Sequence, residues 1–402
     1  MNIGIITVCL LLVGILFYLP VYQFIVLDTD GKQLTGTAAI AMNREFVNTC
    51  AGRLTDEKIC ADIAAYQALF HDPENVSKDT TKKTLTDRAY FKYILPYSDY
   101  WKLINGNYID PCAYDSSFSA VINMDLENGI DFYSARDKKI STLLNQVYED
   151  WNFSDSEKAF WLDRISSVTI PYEYGYHTGW EMLFSCLELF AIGMIGICIC
   201  VSGTFSGEYQ SGADSIILSS RYGKSKLLTA KILAAFAYSF FLFTLFLLVG
   251  CGILLAGFGM DGWELPVQVL NTISPYDLSL AGAAVTAVGT LYLILAGMVS
   301  FTLLLSAKMR SAVSVLVIIV LAFMLPMFIG ISETNGIWNR IFVLLPYRAA
   351  QTVFSDDFYG YFGYPIGGLT FDVVTVRMLL YAAVTLICVP FARKAWKGHQ
   401  VV

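Results

Sequence analysis

Between two long apolar tracts, residues 205–235 read FSGEYQSGADSIILSSRYGKSKLLTAKILAA. Glu208 and Gly212 stand four apart, the apolar run Ile216, Ile217, Leu218 follows, and Arg221, Lys224 and Lys231 lead into the next tract. That order describes a short amphipathic helix lying along a membrane surface, with a carboxylate before it and cations after it. The general surplus of cations on the cytoplasmic side of a membrane would account for Arg221, Lys224 and Lys226, but not for Glu208 or Gly212. Gly223, Lys224 and Ser225 supply the tail of a phosphate-cradling loop, yet its leading glycine would fall on Leu218, so the pattern fails.

Glu188 is the other residue with chemical content, because it interrupts an otherwise uncharged tract seven positions after Glu181. On a continuous helix the two carboxylates share a face, about 10 Å apart along the axis at 1.5 Å per residue. An ionised carboxylate near the bilayer centre costs on the order of 2.5–3.5 kcal/mol, so Glu188 is expected to face protein or water. It would then line a substrate path or pair with a neighbouring helix; the alternative is a hydrated position close to the interface, with Glu181 in solvent.

Of the nine cysteines, Cys9, Cys186, Cys198, Cys200, Cys251 and Cys388 fall in apolar tracts and read as small hydrophobes. Cys50, Cys60 and Cys112 lie in polar sequence, where Cys50 and Cys60 are the nearest candidates for a disulfide, a pairing that spacing alone leaves open. His71, His177 and His399 are far apart, and no Cys/His cluster has metal-ligand spacing. No zinc motif, serine–histidine set or carboxylate pair suggests an enzyme.

The elements that must carry these residues follow from composition. Hydrophobic residues make up 55% of the 402, charged residues 15%, and the mean hydropathy is +0.54, outside the range of water-soluble domains. Charge is concentrated in residues 28–173, which hold 23 acidic and 15 basic side chains, and the net charge of −7 argues against a nucleic-acid partner. A lipid core about 30 Å thick requires about 20 mostly apolar residues in a helix. Six tracts meet or approach that length: Ile3–Val26, Met182–Phe205, Ile232–Met260, Leu278–Ala307, Ser311–Ser332 and Val373–Phe391. The last contains Arg377 near one end, where its long stem could snorkel to the interface.

The first tract lacks the basic lead-in and small-residue cleavage site of a signal peptide and reads as an anchor; the missing cations before Ile3 leave an upstream start open. Lys and Arg set the orientation: Arg221, Lys224, Lys226, Lys231, Lys308, Arg310, Arg393, Lys394 and Lys397 fall on one side, against Arg340, Arg348 and Arg377 on the other. Both termini are therefore expected in the cytoplasm and the charged insertion outside. Within that insertion, Ile140, Leu143, Leu144, Val147, Tyr148 and Trp151 form one helical stripe. Ser154 and Glu157 form a capping-box pattern, and a helix from about Thr55 would bury Ile59, Ile63, Tyr66 and Phe70. Asp72–Asp87 reads as a mobile loop.

Glu208, Gly212, the run Ile216–Leu218, Arg221, Lys224 and Lys231 together resemble the membrane subunits of type 2 ABC exporters, in which such a segment contacts the ATPase. The resemblance implies an α-helical membrane protein with six transmembrane helices and a mainly α, or α+β, extracellular domain between the first and second. Its segments would be 3–26 (first span), 27–178 (extracellular domain), 180–205, 206–226 (cytoplasmic coupling segment), 227–258, 279–306, 311–331, 332–372 (extracellular or re-entrant), 373–393 (sixth span) and 394–402 (cytoplasmic tail). It further implies a permease of the plasma membrane working with two ABC ATPase subunits and a second permease, identical or related, in contact with membrane lipid. No cofactor is expected on this chain, ATP and Mg²⁺ belonging to the ATPase. A membrane-anchored sensor whose outer domain binds a ligand is the alternative, although no cytoplasmic signalling domain is visible.

Overall fold

The computed structural model describes residues 2–77, 84–110, 118–127, 129–146, 152–328, 336–351, 358 and 360–399. Helix α1 (Asn2–Gln23) is followed by a hairpin, β1 (Ile25–Leu27) and β2 (Gln33–Thr35), and then by the inserted domain. That domain comprises α2 (Gly36–Thr49), β3 (Gly52–Arg53), α3 (Asp56–Ala68), α4 (Asp87–Tyr93), α5 (Ser98–Gly106), α6 (Ser119–Ile122), α7 (Phe132–Asn145), α8 (Asp155–Ser166) and β4 (Glu173–Tyr174). Strands β3 and β4 pair antiparallel, Gly52 with Tyr174 and Arg53 with Glu173, which ties the start of the domain to its end.

The apolar remainder begins with α9 (Thr178–Cys186), a 3-10 turn at Leu187–Leu189 and α10 (Phe190–Val201). Next come α11 (Gly203–Ser211), α12 (Ala213–Ser219), α13 (Lys226–Phe258) and α14 (Leu280–Lys308). Helix α15 (Ala312–Met324) precedes the short α16 (Gly336–Phe342) and α17 (Pro346–Gln351), the hairpin β5 (Gly363–Ile366) and β6 (Leu369–Asp372), and α18 (Val373–Gly398).

Among the described residues five helical stretches are long and apolar enough to cross a membrane: Asn2–Gln23, Thr178–Ser211, Lys226–Phe258, Leu280–Lys308 and Val373–Gly398. Ala312–Phe328, at the fifth of the six expected spans, is shorter. Pro326 has no N–H to continue the helix, and the last turn, Leu325–Phe328, tightens to 3-10. Helix α14 is the hub, packed along α18 and touching α10, α11 and α13. Side chains such as Leu11, Phe241, Leu248 and Leu386 point outward, as expected of surfaces covered by acyl chains.

The inserted domain is built as a helical layer whose core, with Ile59, Ile63, Ile104, Phe132, Ile140 and Trp161, continues into that of the bundle. Thr55 caps α3, and Ser154 and Glu157 form the reciprocal capping box of α8. Two ion pairs fasten α8 to the segment before the last helix: Arg340 Nη1 to Glu157 Oε1 at 3.2 Å and Arg164 Nη1 to Asp372 Oδ2 at 2.9 Å.

Several expectations change. Helix α7 begins at Phe132 and ends at Asn145; Ile140 and Leu144 are buried, and Val147, Tyr148 and Trp151 lie outside the described residues. Of the stretch expected to be a mobile loop, residues 78–83 lie outside the described residues, and Val76 and Leu85 on either side of them form an antiparallel bridge. Arg377 does not snorkel: it is fully buried, with Nη2 donating to the Val343 carbonyl at 3.3 Å, because the end of α16 folds over it. Cys50 and Cys60 both carry free thiols, Cys50 capping the end of α2 and Cys60 within α3, so the pairing weighed from spacing is not formed; Cys112 lies outside the described residues.

Candidate functional site

The residues singled out between 208 and 231 converge where α10, α13, α14 and α18 end together. Helix α11 continues α10, and the Ser306 hydroxyl of α14 accepts from the backbone N–H groups of Phe205 and Ser206, both at 3.0 Å. Tyr209 reaches the same helix, its hydroxyl donating to the Ala307 carbonyl at 3.0 Å. From α13, Lys231 forms an ion pair with Glu208 and also donates to the Thr204 carbonyl at 3.3 Å. The carboxylate and the distant lysine are therefore one strut between α11 and α13.

Gly212 ends α11 with φ +71°, the left-handed conformation that glycine adopts without penalty, and this turn redirects the chain into α12. Asp214 in the first turn of α12 is buried, and His399 Nε2 lies 3.1 Å from its Oδ2. The Tyr209 ring lies against two rings from the end of α18, with centroids 5.4 Å from Trp396 and 4.2 Å from His399. Trp396 Nε1 donates to the Gly223 carbonyl at 3.2 Å, in the turn between α12 and α13. At Gly223 a Cβ would lie 1.7 Å from the Ile217 carbonyl oxygen, so only glycine fits this close approach.

The segment thus has two faces. Asp214 is buried and Ile217 and Leu218 half-buried toward the bundle, whereas Ile216 is 74% exposed beside exposed Arg221, Tyr222 and Lys224. Arg221 and Lys226 both lie over the Tyr222 ring, at 5.2 Å and 4.8 Å from its centroid. An apolar tip ringed by cations is suited to a partner whose surface is apolar at its centre and acidic at its rim. Tyr209, Asp214, Ser306 and Trp396 escaped the sequence reading, and Gly223 and His399 entered it only as parts of a phosphate loop and a metal site that the spacing excludes. The one available signal was an aromatic residue, Trp396, in an otherwise basic tail.

Glu181 and Glu188 occupy different helical pieces. Glu181 is in the first turn of α9 and Glu188 sits in the 3-10 turn that separates α9 from α10. Both are half-buried, and α17 packs against that turn. The 3-10 turn changes the hydrogen-bond pattern within the helical stretch Thr178–Ser211, and Glu188 is its central residue. Among the described residues no group of three or more His, Cys, Asp or Glu side chains is arranged to hold a metal.

The model of one protein family, described as ABC-2 family transporter protein, matches residues 3–396. No curated protein and no solved structure matches the chain.

Proposed function

The chain belongs to the ABC-2 transporter family, whose members are permease components of ABC transporters, and from that premise we propose that it is half of the membrane path of an ATP-driven exporter. Two such permeases, identical or related, form the path in the plasma membrane. Both termini face the cytoplasm, and the domain spanning 27–178 faces outward. Two separate ATPase subunits, which carry ATP and Mg²⁺, dock under α11 and α12, where Ile216, Arg221 and Lys224 meet them.

The observation that carries this reading is the two-faced build of α12. Its inner side is bonded to the end of α18 through Asp214–His399, the elements on either side of it are tied to the bundle through Glu208–Lys231 and Trp396–Gly223, and its outer side is open. Closure of the ATPases pushes on Ile216; the strut and the tryptophan transmit the push to α13 and α18, and α11 transmits it to α10. The interruption at Glu188 lets the outer piece of that span change angle while the inner piece moves. A peptide, a lipid or a drug-like molecule would leave past Glu188 and Glu181, by alternating access.

The test is reconstitution with the ATPase subunit expressed in the same cells. Charge reversal at Arg221, or Ile216→Glu, is expected to lower transport-coupled ATPase activity at least tenfold, with membrane insertion and unfolding temperature unchanged. Wild-type coupling in both variants would remove the docking assignment.

A further inference from the structure

We infer that the end of α18 holds the phosphate of an anionic membrane lipid on the face turned away from the coupling segment. A groove of about 510 Å³ is lined there by Pro390, Arg393, Lys394, Lys397 and Gly398, with no acidic side chain among them. These positions follow offsets 0, 3, 4, 7 and 8, one face of a helix. Trp396 lies on the opposite face, where it meets Gly223. Arg393 lines this groove and its Nε has no hydrogen-bond partner among the described residues, so no protein acceptor holds the guanidinium through that atom, and its fork geometry suits a phosphate.

A lipid fits better than a free ion because of what precedes the groove. Leu386 and Ile387, four and three residues before Pro390, share the groove's face and are 75% and 57% exposed. Cations at one end and apolar side chains one turn away match an amphiphile lying along the helix, its headgroup on Arg393 and Lys397 and its acyl chains on Leu386 and Ile387. Pro390 sits at the changeover, inside the continuous α18, where its missing N–H leaves one helix hydrogen bond unmade. The ends of α18 and of the coupling segment therefore meet on one face, and bilayer charge is read on the other.

This inference rests on α18 being a span that ends at an interface, but needs no ATPase. Loss of coupling and loss of lipid preference are therefore separate results. The full chain, purified in detergent, is titrated with dioleoylphosphatidylglycerol, dioleoylphosphatidylcholine or inorganic phosphate, and bound lipid is counted by native mass spectrometry. Phosphatidylglycerol is expected to be retained over phosphatidylcholine. The R393Q/K397Q variant should lose at least about tenfold in affinity for it, while R393K/K397R keeps the preference. If R393Q/K397Q does not fold, K397Q alone, at an exposed position, is expected to lose about fivefold. K308Q/R310Q, which removes exposed cations at the end of α14 and just after it, should bind as the wild type does. Equal binding of the two lipids, unchanged affinity in the glutamine variants, an equal loss in K308Q/R310Q, or displacement of the lipid by equimolar inorganic phosphate would each overturn the proposal.

Discussion

Trp396 donates its indole N–H to the carbonyl of Gly223 across 3.2 Å, although 173 residues separate them. The bond joins the last helix to the turn in front of α13, and Trp396 is fully buried there, tilted against Phe205 and stacked on Tyr209. Phenylalanine at 396 keeps the ring contacts and loses the hydrogen bond, worth about 1 kcal/mol. Alanine loses both, at a cost of about 3–5 kcal/mol. Thermal unfolding in detergent should rank wild type above W396F and W396F above W396A. If ATPase coupling passes through this contact, it should fall in W396F while the fold is retained.

The strut between Glu208 and Lys231 calls for a double-mutant cycle. Both side chains are about four-fifths buried, and the second carboxylate oxygen, Oε2, is enclosed with no hydrogen-bond partner among the described residues. E208Q and K231M should each lower stability, and the double variant should be less destabilised than their sum, with an interaction of about 1–3 kcal/mol. Additive effects in chemical or thermal unfolding would mean that the two residues do not act as one element.

These two contacts show where the sequence is informative and where it is not. The long spans were legible because hydrocarbon demands uninterrupted apolar helices, and the start of α8 because Ser154 and Glu157 cap each other locally. Glu208, Gly212 and Lys231 were legible as a group, but not that two of them form a salt bridge while Gly212 turns the chain. The contributions of Trp396 and His399 depend on α18 returning to the same end as α12, which periodicity within either segment does not encode. The burial of Arg377 is hidden from the sequence for a related reason. Hydropathy places an arginine in an apolar tract, but only the fold shows that the end of α16 covers it and supplies the Val343 carbonyl.

Among the described residues Arg340 and Glu157 form the most enclosed ion pair joining the inserted domain to the α16–α18 region, with side chains 8% and 1% exposed. Removing Arg340 leaves the buried Glu157 carboxylate without its cation, Ser154 still donating to Oε2, at a cost of about 3 kcal/mol. R340M is therefore expected to destabilise the protein strongly, while R340M/E157Q, which removes both charges, should recover part of the loss. Because α8 carries Arg164 as well, bonded to Asp372 at the start of α18, limited proteolysis of R340M should open the inserted domain before the spans.

His177 gives a pH signature at the foot of the inserted domain. It precedes α9, is buried, and its Nδ1 lies 2.8 Å from the Gly175 carbonyl oxygen. Burial lowers its pKa below the ordinary value of 6.5, since a charged imidazolium would lose its hydration there. Above about pH 6.5 the ring is neutral in both the folded and unfolded chain, and the group contributes no pH dependence. As the pH falls below that value the unfolded chain takes up a proton that the folded chain cannot, so stability declines, and the decline ends only below the depressed folded value. Unfolding temperatures measured in detergent from pH 8 to 5 should accordingly hold steady and then fall, and H177Q, which cannot titrate, should flatten the acid limb. An acid limb of equal slope in H177Q would assign the pH dependence to other groups.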